Sequence, residues 1–204
     1  TLLGWAPPTE EEIYSLEELV KVFTIDRISK SPAIFDIEKL RWMNGVYIRN
    51  KSLEEFNDIA KKYYSEWIIN NLDILELSKT IQNRTEVLTD IPEMTDFFEK
   101  LPEYDNELYI NKKMKTDLEI SKTALDICYK ELLAFDKWDN FDELHNFLLS
   151  LAEKYEMKNG QILWPLRVAL SGKLKTPGGA VEIAYLLGKG ESLRRIEKGI
   201  LKIG

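Results

Sequence analysis

The stretch "LRVALSGKLKTPGGAVEI", Leu166–Ile183, sets two apolar runs on either side of an insert rich in Gly, Pro and Lys. Trp164-Pro165 closes the segment before it, and "LRVAL" reads as one or two helical turns ending near Gly172. Thr176 is then a good N-cap, and Pro177 a good first-turn residue, for a second helix over "GGAVEIAYLLG". The first backbone N–H groups of such a helix lack partners within it, and Gly178 and Gly179 have no side chains to screen them. Arg167 adds a planar donor fork, and Lys173 and Lys175 bring two more cations before the first acid, Glu182. Two readings follow from these residues: an ordinary capped helix start, or an edge that a nucleic-acid base or phosphate can approach closely.

Outward from this stretch nearly every segment has helical periodicity. "SLEELVKVF" opens with the capping pair Ser15 and Glu18 and carries Leu16, Leu19, Val20 and Phe23 at helical spacing. Ser52 and Glu55 repeat the device ahead of Phe56, Ile59, Ala60 and Tyr63. "DILELSKTIQNRTEVL" supplies Ile74, Leu77, Ile81 and Leu88, and Pro92 sits in the first turn of "IPEMTDFFEKL". Thr116 with Glu119, and Asn140 with Glu143, predict two further helix starts, the second of these helices ending before Gly160. "GKGES", Gly188–Ser192, reads as a helix C-cap followed by a short turn. The two Asn-Gly pairs, at 44–45 and 159–160, lie between helical patterns, so no hairpin competes. The predicted fold is all-α, with at least six helices and no sheet.

Composition narrows the chemistry. The 204 residues suffice for one or two domains with a real core. A single cysteine, Cys128, excludes an internal disulfide and fits a cytoplasmic protein. No apolar run approaches the roughly 20 residues of a membrane span. The chain starts at Thr1 in apolar "TLLGW", which reads as a piece of something longer. Its net charge of −7 is uneven: residues 158–204 hold nine Lys/Arg against three Glu, while the acids concentrate in residues 1–157. A local field of that sign attracts polyanions despite the acidic whole. One His, His145, and one Cys cannot make a zinc site, so no metal ligands are assigned. Phosphate-loop, dinucleotide and nucleophile-elbow patterns are absent, so no catalytic residue is assigned either.

"SKSPAIFDIEKLRWMNGVYIRN", Ser29–Asn50, holds a second basic group. Pro32 forces Ser31 to be extended, and Asp36 can cap the helix that follows. Phe35, Leu40 and Tyr47 are expected in the core. Lys30, Asn44 and Arg49 are less easily explained by packing.

Together, "SKSPAIFDIEKLRWMNGVYI" and "LRVALSGKLKTPGGAVEIAYLLGKGESLRRIEKGI" resemble the C-terminal half of the bacterial glutamyl-tRNA synthetase family. "LLGW", "SLEEL" and "PEM" fall in the expected order, and the likeness covers essentially the whole chain, more weakly over residues 60–83 and 100–155. The resemblance implies a class I aminoacyl-tRNA synthetase that uses ATP and magnesium to attach glutamate to its tRNA. The family's catalytic domain, with its HIGH-like and KMSKS-like signatures, belongs ahead of Thr1, so neither cofactor is expected in this stretch. Residues 1–50 then close a stem-contact region, and residues 51–128 and 129–204 form two helical anticodon-binding subdomains. Arg167 takes the place of an arginine that contacts the first anticodon base. Thr176-Pro177 takes the place of a pair set against the middle base, beside Gly178. Gly179 departs from a bulky apolar residue that touches the first base. Arg84 is the candidate for the third base, and Lys30, Asn44, Arg49, Lys173 and Lys175 for the tRNA backbone. The implied partner is tRNA(Glu), with tRNA(Gln) left open, bound by a cytoplasmic monomer. An all-α protein–protein interaction domain is the alternative.

Overall fold

A computed structural model describes residues 4–29 and 35–204. Among them the chain forms ten α-helices joined by short 3-10 turns: α1 Leu16–Val22, α2 Ile37–Arg49, α3 Leu53–Ala60, α4 Glu66–Asn71, α5 Ile74–Gln82, α6 Ile91–Glu99, α7 Leu118–Ala134, α8 Phe141–Lys154, α9 Asn159–Ser171 and α10 Ala180–Ile203. No strand forms among the described residues; two isolated bridges, Trp5 with Ile28 and Asn111 with Thr116, are the only extended pairings there. Lys30, Ser31 and Pro32 lie outside the described residues.

Local chemistry explains most helix starts. Ser15 with Glu18, and Ser52 with Glu55, close reciprocal capping boxes. Asp73 accepts from the amides of Leu75 and Glu76, and Asn140 accepts from Glu143. α3 ends at Ala60, and Ser65 starts α4. Three expectations are corrected. Thr116 does not cap α7: Asp117 does, while the Thr116 hydroxyl donates to the Tyr109 carbonyl. Gly160 does not follow α8 as its stop but sits in the first turn of α9, and the chain reverses through Glu156 at φ 54°. Pro165 does not end a segment: it is buried inside α9, where ring closure removes one helical donor without stopping the helix. Gly188, at φ 71° and ψ 173°, does end a helical stretch as expected: α10 is two such stretches meeting at a kink there.

One continuous core joins buried side chains from Ile48 to Ile196, including Phe56, Leu77, Phe97, Leu125, Leu148 and Ile183. Residue 128 lies in the middle of α7, so a division at 128/129 cuts a single helix. Phe35, Leu40 and Tyr47 are exposed rather than in the core. Leu16, Val20, Ile25 and Ile37, within the first forty residues, are exposed too.

Arg195 of α10 ties the helices together at the site. It is only 1% exposed. Its Nη1 donates to the carbonyls of Phe97 and Leu170, each at 2.7 Å, and its Nη2 to Phe98 at 2.9 Å. Glu191 meets its Nε at 2.6 Å. One guanidinium thus closes the carbonyl end of α6 and the last turn of α9 against α10, fixing where the loop after α9 emerges.

Candidate nucleic-acid interface

Gly172 ends α9 in the left-handed conformation, at φ 63°, its amide bonded to the Val168 carbonyl. The chain then runs as a loop to Gly179, the true N-cap of α10, which places no side chain over the first amides of that helix. Thr176, expected at that position, serves the loop instead. Its hydroxyl donates to the Gly178 carbonyl at 2.7 Å and accepts from Arg167 Nη1 at 2.8 Å. Arg167 Nη2 reaches the Leu174 carbonyl at 2.9 Å. Its guanidinium lies 4.4 Å from the ring centre of Trp164, whose indole donates to the Leu108 carbonyl. Burial pulls the Arg167 pKa below its usual value, but a group that starts so high stays charged at neutral pH. Arg167 therefore shapes the loop with part of its fork and keeps further N–H donors.

Lys173 is also committed. Its ammonium donates to the Glu93 carbonyl at 2.6 Å and pairs with Asp96 at 2.5 Å, pinning the loop to α6. Lys175 and Arg84 are exposed, and their side chains have no partner among the described residues. Pro177, within the loop, is buried.

Two clefts meet at this loop, sharing Arg84 and Pro177. The first, about 530 Å³, is lined by Arg41, Lys173, Lys175 and Thr176, with Asp90 and Glu93 opposite. The second, about 430 Å³, is lined by Thr80, Asn83, Phe141, Gly178, Gly179 and Glu182. The anticodon-site candidates Arg84, Thr176, Pro177, Gly178 and Gly179 are thus brought together from α5–α6 and α9–α10, with Arg167 bracing the loop from behind.

The backbone-contact candidates divide. Asn44 donates to the Glu86 carbonyl, and Arg41 pairs with Asp90, so these two side chains hold α2 against residues 86–90. Arg49 packs beside Gly45, its Nη1 lying 2.9 Å from where a Cβ there would stand. Arg41, Phe141 and Glu182 are not among the site residues read from the sequence. Glu182 three residues after Gly179 is a visible helix-start spacing once Thr176 is not taken as the cap. Cys128 is fully buried in α7, and His145 lies against the Phe141 ring. Among the described residues no three His, Cys, Asp or Glu side chains converge into a group that could hold a metal ion. Nor is any helix there long and apolar enough to cross a membrane.

Residues 49–200 match a family model described as the anticodon binding domain. The glutamate–tRNA ligase of Clostridium tetani is 50% identical over 202 residues, 99% of this chain and 41% of the relative. That of Clostridium acetobutylicum is 50% identical over 203 residues, 99% of this chain and 42% of the relative. A crystal structure of a glutamate tRNA ligase from Elizabethkingia meningosepticum, in complex with its amino acid, aligns with a TM-score of 0.78 at 26% identity. It is matched over 100% of this chain and 40% of its own. The chain thus spans about two fifths of the length of the relatives it matches. The residues that build the two clefts all fall within residues 41–182, almost wholly inside the matched segment, and the chain belongs to the anticodon binding domain family.

Proposed function

We propose that this chain is the tRNA-reading portion of a glutamate–tRNA ligase. It binds the anticodon arm of tRNA(Glu), as a monomer in the cytoplasm, while the rest of the ligase activates glutamate with ATP and magnesium. The observation that carries the reading is the pair of clefts meeting at Arg84 and Pro177, open beside the exposed Lys175. Neighbouring recesses that share a wall suit consecutive unstacked bases, and exposed cations beside them suit the connecting phosphates. Residues 1–50 close a stem-contacting region, and two helical subdomains follow. Keeping α7 whole moves their division ahead of Leu118.

Anisotropy titration of a labelled anticodon stem-loop tests the reading. Binding is expected, weaker for a loop with a scrambled anticodon, and falling steeply as salt rises because phosphate contacts release counterions. Equal affinity for both loops at every salt concentration refutes it. A second reading, a protein–protein interaction module, draws on the exposed Leu16, Val20, Ile25, Ile37 and Leu40. Under that reading the fragment does not bind the stem-loop at all. Charging of tRNA(Glu) and tRNA(Gln) by the full-length ligase decides between one substrate and two.

A further inference from the structure

We propose that Phe141 and Glu182 form a single base-binding pocket across Gly179, the ring stacking on one unpaired base while the carboxylate accepts a hydrogen bond from that base's N–H edge. The proposal rests on the tRNA-reading function above and names the residues that would carry part of it.

Phe141 is the first residue of α8, placed by the cap that Asn140 makes on Glu143. Its ring is held on edge by Tyr185, at 5.6 Å and 90°, and lies parallel to His145 with centres 6.0 Å apart. A ring fixed by two neighbours, on the wall of a cleft, is a ready stacking surface. Little rotational freedom is left to lose when a base arrives. Lys79 places its ammonium over the ring, 6.0 Å from its centre.

Glu182 lies in the first turn of α10 and lines the same cleft. Most acids around the site are engaged: Asp90 with Arg41, Asp96 with Lys173, Glu76 with Lys79. The Glu182 carboxylate has no partner among the described residues. It folds over Gly179, one oxygen lying 2.9 Å from where a Cβ on that glycine would stand. Gly179 has φ −79°, a conformation open to any residue, so the glycine's use here is the room it leaves rather than backbone freedom. That room holds the Glu182 carboxylate, which borders the cleft that the Phe141 ring also lines. A carboxylate accepts only, so it favours base amino or imino N–H groups and repels phosphate. The adjoining cleft, with Arg41, Lys173 and Lys175, has the opposite preference.

The test is a set of double-mutant cycles. Wild type, Phe141→Leu, Phe141→Ala and Glu182→Gln are titrated with the anticodon stem-loop and with three versions, each abasic at one anticodon position. Leucine keeps apolar bulk against Tyr185 and His145 but removes the π-face, so it guards against a variant that fails to fold. On intact RNA the Phe141 variants are expected to bind about ten- to hundred-fold more weakly. Glu182→Gln is expected to bind about ten-fold more weakly. Both losses should vanish at the same one abasic position. Losses that persist equally on all three abasic RNAs, or that vanish at two different positions, overturn the single pocket. Failure of the wild type to bind any of these RNAs instead overturns the tRNA-reading function itself.

Discussion

Replacing Arg195 with Met keeps the length and apolar stem of the side chain and removes its guanidinium. In the folded protein that group is almost fully buried and donates to three backbone carbonyls drawn from two other helices. Methionine leaves the carbonyls of Phe97, Phe98 and Leu170 without those donors, and Glu191 keeps only Arg194. Breaking a buried charged network by removing one partner costs about 3–5 kcal/mol. For a chain of this size that corresponds to a melting point lowered by roughly 6–20 °C. Arg195→Lys restores the charge but not the fork, and is expected to recover less than half of the loss. Arg194→Ala is the control: its bidentate bond to Glu191 lies at the surface, so about 1 kcal/mol or less is expected. Urea denaturation followed by circular dichroism measures all three. The same variants, titrated with the anticodon stem-loop at a temperature where each is folded, report whether the junction of α6, α9 and α10 sets the clefts. A loss below about 1 kcal/mol for Arg195→Met refutes the latch. Unchanged RNA affinity refutes its role in aligning the site.

Arg167→Ala removes the brace on Thr176 and Leu174 together with any donors offered to a base. Affinity for the cognate stem-loop is expected to fall about ten- to hundred-fold, with lysine a poor substitute. Equal loss on a stem-loop altered at its first anticodon base shows that Arg167 only positions the loop. Acidification should destabilise the fold through Glu131, whose pKa is lowered first by the hydrogen bond from Lys154 and then by that from Tyr155. A carboxylate with a depressed folded-state pKa contributes stability above its unfolded pKa and loses it as pH falls through the folded one. Urea midpoints should therefore be flat near neutrality and drop below about pH 4, with Glu131→Gln showing a shallower drop. Identical pH profiles for the two proteins refute the assignment.

Fold class was legible because apolar spacing and capping chemistry agree at most helices, as at Ser15–Glu18 and Ser52–Glu55. Where reading went astray, a tertiary partner had taken a residue that local chemistry offered to a helix end. Thr116 satisfies the Tyr109 carbonyl, and Thr176 accepts from an arginine one helix away. Pro165 marks a break by local rules and is overridden by burial within α9. The loop residues of the site were legible as a cluster of turn formers and cations. The far wall was not, because Phe141 lies more than thirty positions before them and only the packing of α8 on α10 brings it across. Nor does spacing reveal that Lys173 and Asn44 are held within the chain.

The sole cysteine has a practical consequence. Cys128 is fully buried in α7, and desolvation pushes its thiol pKa up to about 12. At neutral pH the native chain presents almost no thiolate, so alkylating reagents meet an inert protein until α7 is uncovered. The rate of labelling at Cys128 is therefore a clock for opening of the core. A cysteine engineered at an exposed position away from the clefts, such as Lys62, would take a dye selectively.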